Sequence, residues 1–188
     1  MVRSLIHALV ASLLVVSARA ELQLNPKVDE FTLDGAKLKQ LAFSDGGEKV
    51  TYQSPRGWNY SGSATQLTLR PPNKTQAEAT ITRIPLSEPG KLDDESLKKL
   101  VAETVALVPK GSTNVTVVSQ DKSPVRINGK ETFLVILSYN FYGEGFGRSV
   151  LFLNRGKEQF RFQLTCRQPD FNELQRAFLA SQFSWQNL

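Results

Sequence analysis

The chain has 188 residues, 40% of them hydrophobic, with 23 Lys and Arg against 18 Asp and Glu, one Cys and one His. A lone cysteine excludes a disulfide framework and a thiolate cluster. The one histidine, His7, lies in an N-terminal apolar run, so the remainder has no Ser-His-Asp or Cys-His constellation and no histidine-containing zinc site. No run of like charges stands out, and the formal +5 reads as a mildly basic, solvated surface.

Residues 1–20 read as a signal peptide: Arg3 supplies the positive start, Leu5–Val16 the apolar run, and Ala18-Arg19-Ala20 the small-x-small cleavage pattern. The run is too short to span a bilayer comfortably, so no stable membrane insertion is expected after cleavage. The expected mature chain, from Glu21, is long enough for one domain with a sizeable core. Export into an oxidising compartment makes nucleic acid an unsuitable partner, and the bacterial periplasm is the expected location.

Residues 21–36, with little periodicity and with Pro26, are expected to form a loosely attached N-terminal arm ahead of a single domain over 37–188. Lys37–Phe43 and Glu48–Ser54 flank Ser44-Asp45-Gly46-Gly47, a turn between two short strands. Thr65–Arg70 and Ala77–Ile84 form a second strand pair around Pro71-Pro72-Asn73. Asp93-Asp94-Glu95 opens a helix whose apolar stripe is Leu97, Leu100, Val101, Val105 and Val108, and Pro109 and Gly111 end it.

Thr113–Val118 reads as a strand, and Asn128-Gly129 as a hairpin-type turn. A three-stranded meander follows over Glu131–Tyr142, Gly147–Asn154 and Glu158–Cys166, turning at Gly143-Glu144-Gly145 and Arg155-Gly156-Lys157. In its last strand Phe160, Phe162, Leu164 and Cys166 share one face, which predicts a buried, inert Cys166. After Pro169, Asp170 and Glu173 have capping-box spacing for a terminal helix striped by Phe171, Leu174 and Phe178, with Phe183 and Trp185 as an apolar clamp. The strand over Thr132–Phe141 is apolar on both sides at Phe133, Leu134, Val135, Ile136 and Leu137, so both faces of the sheet there need cover. With two helices available, the expected class is α+β, an antiparallel sheet flanked by helices as an α/β/α sandwich.

Four stretches carry a resemblance. They are Tyr52-Gln-Ser-Pro55-Arg-Gly-Trp58, the mid-chain amphipathic helix, Gly129-Lys130-Glu131-Thr132-Phe133 entering an aromatic strand, and a last helix closing on Ser181-Gln182-Phe183. In this order the chain resembles the PsbP-like superfamily, including DcrB-type periplasmic proteins, from roughly Tyr52 to Phe183. The resemblance implies an antiparallel sheet between helices and a non-enzymatic accessory or binding role. It supplies no catalytic residues, and no photosystem role or manganese or calcium binding is carried over.

Among chemistry-bearing groups, Asp93, Asp94 and Glu95 are accounted for by helix capping, and Asp29 and Glu30 by solvation. No metal site and no cofactor are therefore expected. Trp58 and Trp185 read as core caps. Asn59, Asn73 and Asn114 begin glycosylation sequons, which bear on the protein only in a eukaryotic host. The better lead is aromatic: Tyr139, Phe141, Tyr142 and Phe146 gather at one end of the central hairpin with Arg148 beside them, either as core and tip packing or as a partner patch. The expected function is an exported, non-enzymatic accessory or adaptor module that binds a protein through this end. The alternatives are a carrier of a small amphipathic ligand between sheet and helix, and, last, a hydrolase using carboxylates only.

Overall fold

A computed structural model describes residues 21–188. The signal-peptide reading of residues 1–20, His7 included, lies outside the described residues. Ten strands and two helices follow in order. They are β1 (Gln23–Leu33), β2 (Ala36–Asp45), β3 (Glu48–Tyr52), β4 (Asn59–Gly62), β5 (Gln66–Arg70), β6 (Glu78–Pro85), α1 (Asp94–Ala106), β7 (Thr113–Lys122), β8 (Thr132–Phe141), β9 (Glu144–Arg155), β10 (Glu158–Arg167) and α2 (Gln168–Ser181). A 3₁₀ turn, Gln182–Ser184, ends the series.

The strands make two antiparallel sheets, one of seven strands in the order β4-β5-β6-β10-β9-β8-β7 and one of three, β1-β2-β3. Residues paired directly across neighbouring strands share a face, so the register defines rows across the large sheet. One row runs Leu67, Ile81, Phe162, Leu151, Leu134 and is apolar throughout. It packs against Phe171, Leu174 and Phe178 of α2 and against Leu41, Phe43, Val50 and Tyr52 of the small sheet. The opposite face has a row running Val135, Val150, Gln163, Thr80, Thr68. Only its valine end is covered, where Phe133, Val135, Leu137, Val150 and Phe152 meet Leu100 of α1. Both faces are therefore closed over β8 and β9, as the two-sided apolar pattern predicts, while β10, β6, β5 and β4 leave one polar face open.

Packing is close where α2 crosses β9. A Cβ on Gly147 would lie 2.3 Å from the Phe171 ring, so only glycine fits there. Behind it, Trp185 stacks on Tyr52 (centroids 4.5 Å apart) and donates its indole N–H to Gln182 (3.0 Å), while Tyr52 shares a hydrogen bond with Ser181 (2.7 Å). Trp58 stacks on Phe178. Both tryptophans are thus core caps. Cys166 is fully buried on the face of Phe160, Phe162 and Leu164, and its thiol pKa is pushed up to about 12, chiefly by burial and also by Asp170.

Five local readings change. Residues 21–36 are not a loose arm: Leu22 and Leu24 are fully buried, the Leu24 N–H donates to Ala64 O (3.1 Å), and β1 pairs with β2. An irregularity between Gln23 and Lys27, around Pro26, breaks the alternation that would mark a strand. The capping-box reading of Asp170 fails because α2 begins at Gln168 with Pro169 in its first turn, and Asp170 instead pairs with Lys74 (2.5 Å). Val105 is exposed; Thr104 takes the buried place, its hydroxyl donating to Leu100 O (2.7 Å). Phe183 is 66% exposed, so of the two only Trp185 clamps the terminus, with Leu188 buried beside it in the same core. The short edge strand β4, all of it exposed, has no apolar signature to reveal it.

Candidate functional site

The β8–β9 turn is Tyr142-Gly143, one position earlier than the glycine spacing indicates, and β9 starts at Glu144. Both turn residues are left-handed, with φ 48° at Tyr142 and 80° at Gly143. A two-residue turn of this kind matches the twist of the flanking strands and favours Asn, Asp or Gly. A bulky residue at its first position is a backbone outlier. Tyr142 is also 90% exposed, its ring touching only Phe141 closely (centroids 4.4 Å).

The other four residues of the aromatic group are sorted differently. Phe141 and Phe146 are half-buried, whereas Tyr139 is 3% exposed and stacks on Phe146 (centroids 5.7 Å). Arg148 is only 6% exposed, which corrects its placement as a surface contact residue. Its guanidinium lies over the Tyr139 ring (5.6 Å), its Nε donates to Thr165 Oγ1 (3.0 Å), and its Nη1 donates to Leu107 O at the end of α1. Arg148 thus caps the carbonyl end of α1, where a cation is favoured by the helix dipole. Burial lowers its pKa and raises that of Tyr139.

Beside Arg148 the open polar face forms a cleft of about 360 Å³ lined by Arg70, Glu78, Thr80, Gln163 and Thr165. Arg161 stands on the same face one alternation along β10 from Gln163, half-buried, with its Nε enclosed and without an acceptor. The sequence pattern gives these residues only as the polar side of an alternating strand. Their meeting with Arg148 and Thr80 depends on strand register, which no local signal carries.

A larger cleft of about 450 Å³ lies at the other end of β9 and β10. There Arg83 donates to Glu21 (2.6 Å) and Glu158 (3.0 Å), and Arg155 to Glu158 (2.5 Å) and Asp45 (2.6 Å). The chain of ion pairs joins the small sheet to the large one. Burial pushes the Glu158 carboxyl up, but Arg155 and Arg83 outweigh it and hold it below the usual value. A carboxyl held ionised in this way is unsuited to general-acid work, which needs a raised pKa.

Of the remaining acids singled out in the sequence, Glu30 is exposed and the others have structural partners. Asp93 accepts from Ser96 N–H (2.9 Å) at the start of α1, Glu95 pairs with Lys99 (2.8 Å), and Asp29 with Lys49 (2.7 Å).

No protein-family model matches the chain, and no curated protein matches it. Among solved structures it is similar to the solution structure of cyanobacterial PsbP (CyanoP) from Synechocystis. That TM-score is 0.55 at 10% identity, over 83% of this chain and 97% of the other. It is also similar to PA94, a Pseudomonas aeruginosa protein of unknown function, with a TM-score of 0.46 at 14% identity over 84% and 94% of the two chains. The first likeness shows the fold: an α+β, PsbP-like sandwich of antiparallel sheet and helices.

Proposed function

We propose that the chain is an exported, non-enzymatic accessory module that binds a protein partner through the β8–β9 end. The observation that carries this reading is Tyr142, an exposed aromatic held in a left-handed conformation where asparagine or glycine would be more stable. Strain retained at an exposed side chain points to a role for that side chain. Tyrosine is favoured at the centres of protein interfaces. The carrier reading has less support, because the clefts beside Arg148 and around Arg83 are lined largely by charged and polar residues and the layer under α2 is filled by Phe162, Phe178 and Trp185. The acids of the cleft around Arg83 and Arg155 are ion-paired, which weighs against the hydrolase.

A photo-crosslinking amino acid at position 142, expressed in the native host, tests the proposal. A discrete adduct from position 142 that is absent with the crosslinker at Lys157, on the opposite end, is the expected result. Equal adduct patterns from both positions would refute it. Export itself rests on the pattern ending at Ala20, and N-terminal sequencing of the mature protein is expected to begin at Glu21; recovery of Met1 would overturn it.

A further inference from the structure

Buried guanidinium groups elsewhere in this fold have carboxylates. Arg83 has Glu21 and Glu158, and Arg155 has Glu158 and Asp45. Arg148 and Arg161 do not. Among the described residues Arg148 donates to neutral oxygens, a threonine hydroxyl and a helix-end carbonyl, with the neutral Tyr139 hydroxyl also beside it. Among the described residues the enclosed Arg161 Nε has no acceptor, and the acid that acts on it, Glu103 of α1, forms no ion pair with it. Burial lowers the pKa of both; Arg161 further disfavours the charge on Arg148, while Glu103 favours that on Arg161. A desolvated, unpaired cation is costly, so proteins supply it with a partner.

The neighbourhood narrows what that partner is. The cleft adds neutral hydrogen-bonding groups, Thr80, Gln163 and Thr165, and the Arg70–Glu78 pair, which cancels itself. Among the lining residues Arg148 and Arg70 against Glu78 leave an excess of one positive charge, and Arg161 and Glu103, which stand beside the cleft, offset each other. One negative charge balances it, whereas a dianion would overshoot while facing the Glu78 carboxylate. The planar fork of a guanidinium matches a carboxylate.

We propose that the cleft beside Arg148 and Arg161, on the open polar face of the sheet, binds a single carboxylate presented by an acidic side chain of a protein partner. Its source rests on the adaptor reading; its chemistry does not. Arg148 also ends α1, so Arg161 is the residue to alter. The Nε–H signals of both arginines report on the cleft by NMR. The probe is N-acetylglutamate N-methylamide, with the neutral glutamine analogue and inorganic phosphate as comparisons. Saturable shifts at Arg148 and Arg161 with the glutamate derivative, absent with the glutamine analogue, are the expected result, and Arg161→Gln weakens binding at least fivefold while the Arg148 signal and the thermal midpoint confirm a folded protein. Thr165→Val, which removes the hydroxyl that orients Arg148, weakens it as well. Equal shifts from both amino-acid derivatives, tighter binding of phosphate, or unchanged affinity in Arg161→Gln would each overturn the inference. A failed titration with an intact adduct from position 142 removes the cleft and leaves the adaptor, and the reverse outcome removes the adaptor and leaves the cleft.

Discussion

Replacing Tyr142 by Asn and by Ala separates strain from contact at the hairpin end. Both substitutions remove the ring and its tilted packing on Phe141, so the loss of that contact, about 0.5 kcal/mol for so exposed a pair, is common to them. They differ in backbone. A non-glycine residue at φ 48° carries a penalty of roughly 1–2 kcal/mol, which alanine keeps and asparagine partly escapes through local hydrogen bonding. Tyr142→Asn should therefore be more stable than Tyr142→Ala by about 0.5–1 kcal/mol, or roughly 1–4 °C in Tm for a domain of this size. Against the native protein, Tyr142→Asn should be neutral to slightly stabilising. Paired thermal melts measure this, and partner binding is read from the adduct formed by a photo-crosslinker at Gln168, exposed and beside Gly145. Both variants should lose that adduct. Equal melting of the two variants would show that the turn is not strained, and full adduct yield from Tyr142→Asn would show that the aromatic is not the anchor.

Glu158→Gln should destabilise at neutral pH by about 2–4 kcal/mol, because it leaves Arg83 and Arg155 short of a carboxylate. The folded-state pKa of Glu158 is depressed, so its contribution is present above the unfolded value of 4.5 and is lost as pH falls through the folded value. Urea midpoints of the native protein and the variant should differ at pH 7 and converge in acid; a gap independent of pH would contradict the ion-pair account. Cys166 should resist thiol reagents until the protein is denatured, and Cys166→Ser should cost about 1–3 kcal/mol by burying a hydroxyl. Rapid native labelling would place the thiol at the surface. Gly147→Ala drives a methyl group into the Phe171 ring and should destabilise by about 1–3 kcal/mol, with Phe171→Leu recovering part of it in the double variant. Additive losses, measured by chemical denaturation, would mean that the two residues do not touch.

Period-2 alternation fixed the faces of β8 and β10 correctly, because each inward side chain there meets the same dense layer and the pattern has no interruption. The burial of Cys166 follows from that alone. Helix α1 was legible for the same kind of reason: Asp93 and the apolar stripe are local signals that the N–H groups and the sheet both reward. At β1 the signal failed, since the irregularity around Pro26 shifts the phase near the start of the strand, and Leu22 and Leu24 are buried by contacts distant in sequence.

The candidate site divides along the same line. An exposed aromatic near a glycine turn can be found in the sequence, and Tyr142 was. That Tyr142 is strained, that Arg148 is buried at the end of α1, and that Arg161 is left without a carboxylate are matters of tertiary structure. A side chain's charge partner is set by which residues the strand register places opposite it. Here β9, β10 and β6 bring Arg148, Thr165 and Glu78 onto one face across some 90 residues of chain. Local propensity and periodicity determine which side of a strand points inward, but only the packed sheet determines where α1 stops covering it, and so where the polar face opens.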